Sequence, residues 1–280
     1  ARQFDAASPA QLASLALSLA SLALRDHGFV PGAVARLELL ADSLTPADAG
    51  KALLALAASG AAPGAPQLGG PLLERLGRTA HFCGAEDALR ALLALCATSS
   101  FCAVLVPLLA QRLATVPRTA LSEADDAGVH QVALSLLLEP GAGPALDAVR
   151  AREGLWESLY LPEEVAGEAE DELDAAGPLR ASVAGAFAEA AGARGWRVVA
   201  EGADLLDGFY RCALLLEMPD GRRAAVDVDP EAPPWVLTPA DVRRRLKHRH
   251  LGLHGLEVVW ARCCDWDGVG PGEERLRAAE

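Results

Sequence analysis

The densest chemistry in the sequence lies near its C-terminal end, where Arg243, Arg244, Arg245, Lys247, His248, Arg249 and His250 fall within eight residues. Guanidinium forks match the oxygens of phosphate, and a lysine adds a point charge, so such a run suits a polyanion. On a helix, residues three or four apart share a face. Arg245 and Arg249 then form one edge and Arg243, Arg244 and Lys247 another, with Leu246 and Leu251 pointing inward. His248 and His250 would strengthen the charge below about pH 6.5. The competing reading is a solvated face paired in part with Asp227, Asp229 or the acidic stretch from Pro162 to Asp174. Trp235, in a Pro-rich loop, could stack on a base, whereas Trp260 and Trp266 are expected in a core.

Other chemistries fit less well. Asp227 and Asp229 could hold a cation weakly. His250 and His254 share a helical face, but no HExxH pattern accompanies them, so no metal site is expected. The six cysteines form no CxxC pair, which argues against a zinc finger and for a reducing compartment without disulfides. There is no GxxxxGK loop, no GxGxxG opening a helix after a strand, and no GxSxG elbow. No cofactor and no catalytic residue are expected.

The basic run must be positioned by a small α/β module. Trp196–Ala200, Phe209–Glu217 and Arg222–Val228 read as strands. Met218-Pro219-Asp220-Gly221 between the last two is a turn signature and predicts an antiparallel hairpin. Thr238-Pro239 caps a helix that reaches about His254, Gly255 ends it, and Leu256–Trp260 is a fourth strand. A last short helix is predicted over Glu273–Ala279.

The N-terminal part reads differently. Ser8, Thr45, Gly84 and Ser122 each precede an apolar helical run, and they stand 37, 39 and 38 residues apart. Second helices are predicted over Gly32–Ser43, Pro71–Phe82, Phe101–Thr115 and Gly143–Tyr160. A fixed period near 38 residues predicts an α-solenoid of helix–turn–helix repeats, with an irregular Ala- and Leu-rich bundle as the alternative. Small residues such as Ala13, Ala16, Ala20, Ala52, Ala55, Ala91 and Ala94 let helices approach closely. The Pro162–Asp174 stretch, with seven acids and no Lys or Arg, reads as a solvated linker, and Leu179–Ala193 as a helix. The apolar run Leu12–Leu24 is too short to span a bilayer. A net charge of −13 excludes a chain that wraps nucleic acid by overall charge, so any such contact must be local.

The C-terminal pattern resembles a RAP domain. Val226-Asp227-Val228-Asp229 and Leu237-Thr238 are followed by Leu246-Lys247-His248-Arg249-His250-Leu251, Gly255, Val258-Val259 and Asp265-Trp266, in that family's order. The resemblance implies a small restriction-endonuclease-like fold, a degenerate relative of PD-(D/E)xK nucleases. Here the first strand offers Tyr210-Arg211-Cys212-Ala213 without a carboxylate, and Asp229 stands where the lysine would be. That implies lost catalysis and no enzyme activity. The helical period is similar to that of octotricopeptide and FAST-kinase-like repeats, although their Trp-containing signature is missing. The expected organisation is a mainly α chain: a helical repeat array over 1–160, an acidic hinge and connecting helix over 161–194, and a RAP-like α/β domain over 195–280. The resemblance implies a non-catalytic organellar RNA-associated protein, mitochondrial or alternatively plastid. Its setting would be a ribonucleoprotein such as the mitochondrial ribosome, or rRNA or mRNA maturation. RNA would be contacted by Arg243, Arg244, Arg245, Lys247, Arg249, His250 and Trp235, other proteins by the repeats, with no membrane insertion. The alternatives are a protein–protein scaffold that has lost RNA, and a residual metal-dependent nuclease.

Overall fold

The computed structural model describes residues 7–21, 29–59, 70–160, 177–229 and 239–262. These residues form eleven α-helices and a four-stranded mixed sheet. The chain divides into two compact units, Ala1–Tyr160 with Trp235–Leu246, and Leu161–Pro234 with Lys247–Glu280.

In the first unit, helices come in pairs: α1 (Pro9–Ser21) with α2 (Phe29–Leu39), α3 (Pro46–Ala58) with α4 (Gly70–Thr79), α5 (Ala85–Ala97) with α6 (Leu105–Leu113), and α7 (Glu123–Leu138) with α8 (Gly143–Arg150). A short α9 (Leu155–Leu159) follows. The first helices α1, α3, α5 and α7 pack side by side in chain order, and so do the second helices α2, α4, α6 and α8. Local chemistry explains the starts. Ser8 Oγ accepts from Gln11 N while Gln11 Oε1 accepts from Ser8 N, a reciprocal cap. Thr45 Oγ1 accepts from Asp48 N, and Ser122 Oγ from Asp125 N. Each of the last two hydroxyls also donates to the same aspartate's carboxylate.

The packing follows from small side chains. Ala13, Ala16, Ala52, Ala55, Ala91 and Ala94 are buried alongside Leu12, Leu72, Leu92 and Leu109. Short 3₁₀ turns over Ala41–Ser43, Ala80–Phe82 and Arg118–Ala120 stand where the second helices were predicted to continue or the next pair to begin. A side-chain clasp recurs at two of them. Arg75 Nε of α4 donates to Leu44 O at 2.9 Å, and Arg112 Nε of α6 donates to Cys83 O at 3.0 Å. The single helix expected over Gly143–Tyr160 is broken: Gly154 takes a left-handed φ of 69° and separates α8 from α9.

The second unit holds α10 (Gly177–Ala193) and the strands β1 (Arg197–Leu205), β2 (Tyr210–Glu217), β3 (Arg223–Asp229) and β4 (Leu256–Arg262). It also holds the later part of α11 (Pro239–Leu253), from Lys247 on. The strand order is β1-β2-β3-β4; the first two pairings are antiparallel, and β3 and β4 run parallel. Met218 N donates to Arg222 O at 2.8 Å across the β2–β3 turn, with Gly221 at φ 83°. Leu214, Leu216, Ala224, Val226 and Val228 pack against Val183, Phe187 and Ala191 of α10. The last short helix predicted over Glu273–Ala279 and the acidic stretch before α10 lie outside the described residues. No single helix among the described residues is long and apolar enough to cross a membrane.

Candidate nucleic-acid interface

Helix α11 carries the basic run, and its buried stripe is set by spacing. Val242, Leu246 and His250 recur every fourth residue and are almost fully buried. His250 therefore belongs to the inward stripe and not to the exposed cations. The imidazole is 0% exposed, and its Nδ1 stands 2.6 Å from the buried Tyr210 Oη. Burial, then the neighbouring Arg249 charge, pushes His250 down to about 3, so it is neutral at physiological pH.

Within the first unit, Val242 and Leu246 join the helical core. Gln131 Nε2 of α7 donates to Arg243 O at 2.9 Å, and the Arg243 guanidinium donates to Ala124 O. Arg245 NH2 donates to Ala58 O, at the end of α3, at 2.9 Å. Arg243, Arg244 and Arg245 are half-buried. Carbonyl bonds of this kind fix a guanidinium in place.

Within the second unit, the centre is Asp227 of β3, 8% exposed. Lys247 Nζ donates to its Oδ1 at 2.6 Å and also to Arg211 O at 2.7 Å. His248 Nε2 donates to Asp227 Oδ2 at 2.7 Å. Burial alone would raise the Asp227 carboxyl. The His248 hydrogen bond and the Lys247 charge outweigh that and hold it well below the usual carboxylate range. The pairing weighed from the sequence is thus present for Lys247 and His248. Arg249 is half-buried on the same stretch of helix.

Trp260 departs from its expected place in a core. It is 46% exposed on β4, in register with Asp227, and its ring meets His248 edge-on at 5.7 Å. Trp235, Trp266 and the side chain of Asp229 lie outside the described residues. Cys102 is exposed, while Cys83, Cys96 and Cys212 are buried thiols. Burial pushes Cys83 and Cys212 up to about 11, which keeps them protonated. Among the described residues, no three His, Cys, Asp or Glu side chains are placed to hold a metal ion.

Chemically, the arrangement offers a helix with guanidiniums in fixed positions and an aromatic surface beside an ion-paired carboxylate. Compared with known proteins, the chain matches no family model and no curated protein sequence.

Proposed function

We propose that this is a non-catalytic RNA-associated protein, in which an α-solenoid of about 38-residue helical hairpins is joined to a RAP-like domain. The stacked helix pairs, with capped starts at a steady spacing, support the solenoid reading. The order α10-β1-β2-β3-α11-β4 with a parallel β3–β4 pair supports the restriction-endonuclease-like reading of the second unit. The observation that carries the proposal is the concentration of half-buried Arg243, Arg244, Arg245 and Arg249 on one helix of an otherwise acidic chain. A local cationic helix can neutralise phosphates where the whole protein cannot. The RAP-like residue pattern supports a setting in a mitochondrial, or alternatively plastid, ribonucleoprotein, with the repeats facing other proteins.

Catalysis is argued against at Asp227. A hydrolytic metal ion needs several ligands and the negative charge they bring, and the charge of Asp227 is already ion-paired with Lys247 and His248. A second reading, a protein scaffold, is favoured by the carbonyl bonds of Arg243 and Arg245, which commit part of the cation row internally.

The test is binding of a fluorescein-labelled single-stranded RNA to the whole protein at several salt concentrations. Arg244→Gln with Arg249→Gln should weaken binding and flatten the salt dependence by about 1 to 2 in slope. Unchanged affinity and slope in the double variant would remove α11 as the RNA contact. No RNA binding by the parent at 50–150 mM salt, on the order of physiological ionic strength, would favour the scaffold.

A further inference from the structure

We propose that Trp260 is a stacking platform for an unpaired nucleobase of single-stranded RNA, with His248 as its side wall and Asp227 as the residue that holds that wall. The proposal rests on the RNA reading above and gives it a site in the second unit.

The face of the sheet is fixed by alternation. Val259 and Ala261 pack with the α10 core, so Trp260 between them lies on the opposite face, the one that carries Asp227 and the second half of α11. Val198, Leu214, Leu216 and Val228 complete the α10 side, which is apolar and covered. On the Trp260 side, one large indole, nearly half open to solvent, lies beside the His248 imidazole and in register with the Asp227 carboxylate that Lys247 and His248 hold. An indole 46% exposed on an edge strand is not a core residue. It presents a flat π surface in a polar frame, which is the composition that takes a base.

The frame is built, since His248 does not swing freely. Its Nε2 donates to Asp227 Oδ2, and the ionised carboxylate fixes the proton on that nitrogen. The same carboxylate ties Lys247 through its other oxygen. The ring is thereby held edge-on to Trp260, next to the surface a base would cover. A cation that is already ordered loses little freedom when a flanking phosphate arrives. The chemistry fits an unpaired base better than a duplex, because stacked and paired bases have no free face to give. It carries no sequence code, as every base has a π-face.

The decisive experiment uses the whole protein and a labelled oligouridine of about 12 nucleotides, long enough to cover one module-sized site. Trp260→Ala should bind roughly five- to a hundredfold more weakly, while Trp260→Phe stays close to the parent. The slope of log affinity against log salt should not change in either variant, because stacking releases no counterions. Duplex RNA of the same length should compete poorly. In parallel, 5-bromouridine RNA crosslinked to the unmodified protein should mark the tryptic segment His250–Arg262, whose sole tryptophan is Trp260. That measurement decides the matter even if Trp260→Ala fails to fold. Parental affinity in Trp260→Ala, or crosslinks confined to other segments, would overturn the platform while leaving RNA binding through α11 in place. Absence of RNA binding by the unmodified protein would overturn both.

Discussion

Replacing Asp227 tests the energetic centre of the second unit. The carboxylate is 8% exposed and accepts from Lys247 and His248, whose side chains are themselves only 17% and 19% exposed. Asp227→Ala leaves a mostly covered ammonium without its anion, and breaking a buried pair in that way costs about 3–5 kcal/mol. Asp227→Asn keeps the shape and one acceptor oxygen but removes the charge, so about 1.5–3 kcal/mol is expected. At about 2–4 °C per kcal/mol for a chain of this size, the Ala variant should melt about 6–20 °C lower. Urea unfolding followed by tryptophan fluorescence and by circular dichroism measures both.

The pH dependence supplies the sign. A carboxyl held below its unfolded value near 3.9 contributes fully above that value, and the contribution is lost as pH falls further. The gap between parent and Asp227→Asn should therefore be constant from about pH 7 to 5 and shrink below about pH 4. A gap of less than about 0.5 kcal/mol at pH 7 would refute the reasoning, since it would mean that Lys247 and His248 find equal partners elsewhere.

Two further outcomes follow from the same structure. His250 sits at about 3 in the folded chain against about 6.5 unfolded, so its neutral form stabilises the fold above about pH 6.5, and that contribution is lost as pH falls through the window between the two values. His250→Gln should remove about 2–3 kcal/mol of the stability loss between pH 6.5 and 4.5, read from urea midpoints; His130, lowered to about 4 by burial and by Arg118, keeps its own share. In the helical unit, Arg75→Met and Arg112→Met keep the aliphatic stem but delete the carbonyl bonds to Leu44 and Cys83, which should cost about 1–2 kcal/mol each in urea unfolding.

Much of the architecture was legible in short-range signals. Thr45-Pro46 and Ser122 mark helix starts because their hydroxyls sit three residues before an aspartate whose N–H they satisfy. Met218–Gly221 marks the β2–β3 turn for the same local reason. The β1–β2 turn was missed although Asp207-Gly208 is a turn dipeptide; Leu206, Asp207 and Gly208 all take positive φ, and β1 runs on to Leu205. The second helices were drawn too long because a 3₁₀ turn keeps the helical apolar spacing for a few residues, as in Ala80–Phe82.

The site was harder. The stripe Val242–Leu246–His250 was present in the spacing, but the charge of the neighbours drew His250 outward in the reading. The bonds of Lys247 to Asp227 and of Arg245 to Ala58 join residues 20 and 187 positions apart, and no local pattern encodes them. Trp260 looked like core by residue type alone; its edge strand leaves it open.

The arginine clasps bear on how the helical unit could vary in length. Leu44 and Cys83 each stand just before the residue that caps a first helix, and the arginine that reaches them comes from the second helix of the same pair. Each hairpin is thus fastened at its open end, away from the loop that joins its two helices. Extra residues in that loop would leave the fastening untouched, and their closure entropy grows only with the logarithm of their number. The connection between α3 and α4 is already longer than the one between α5 and α6. Evolution, or an engineer, could hang new segments from these loops without unbuttoning the stack.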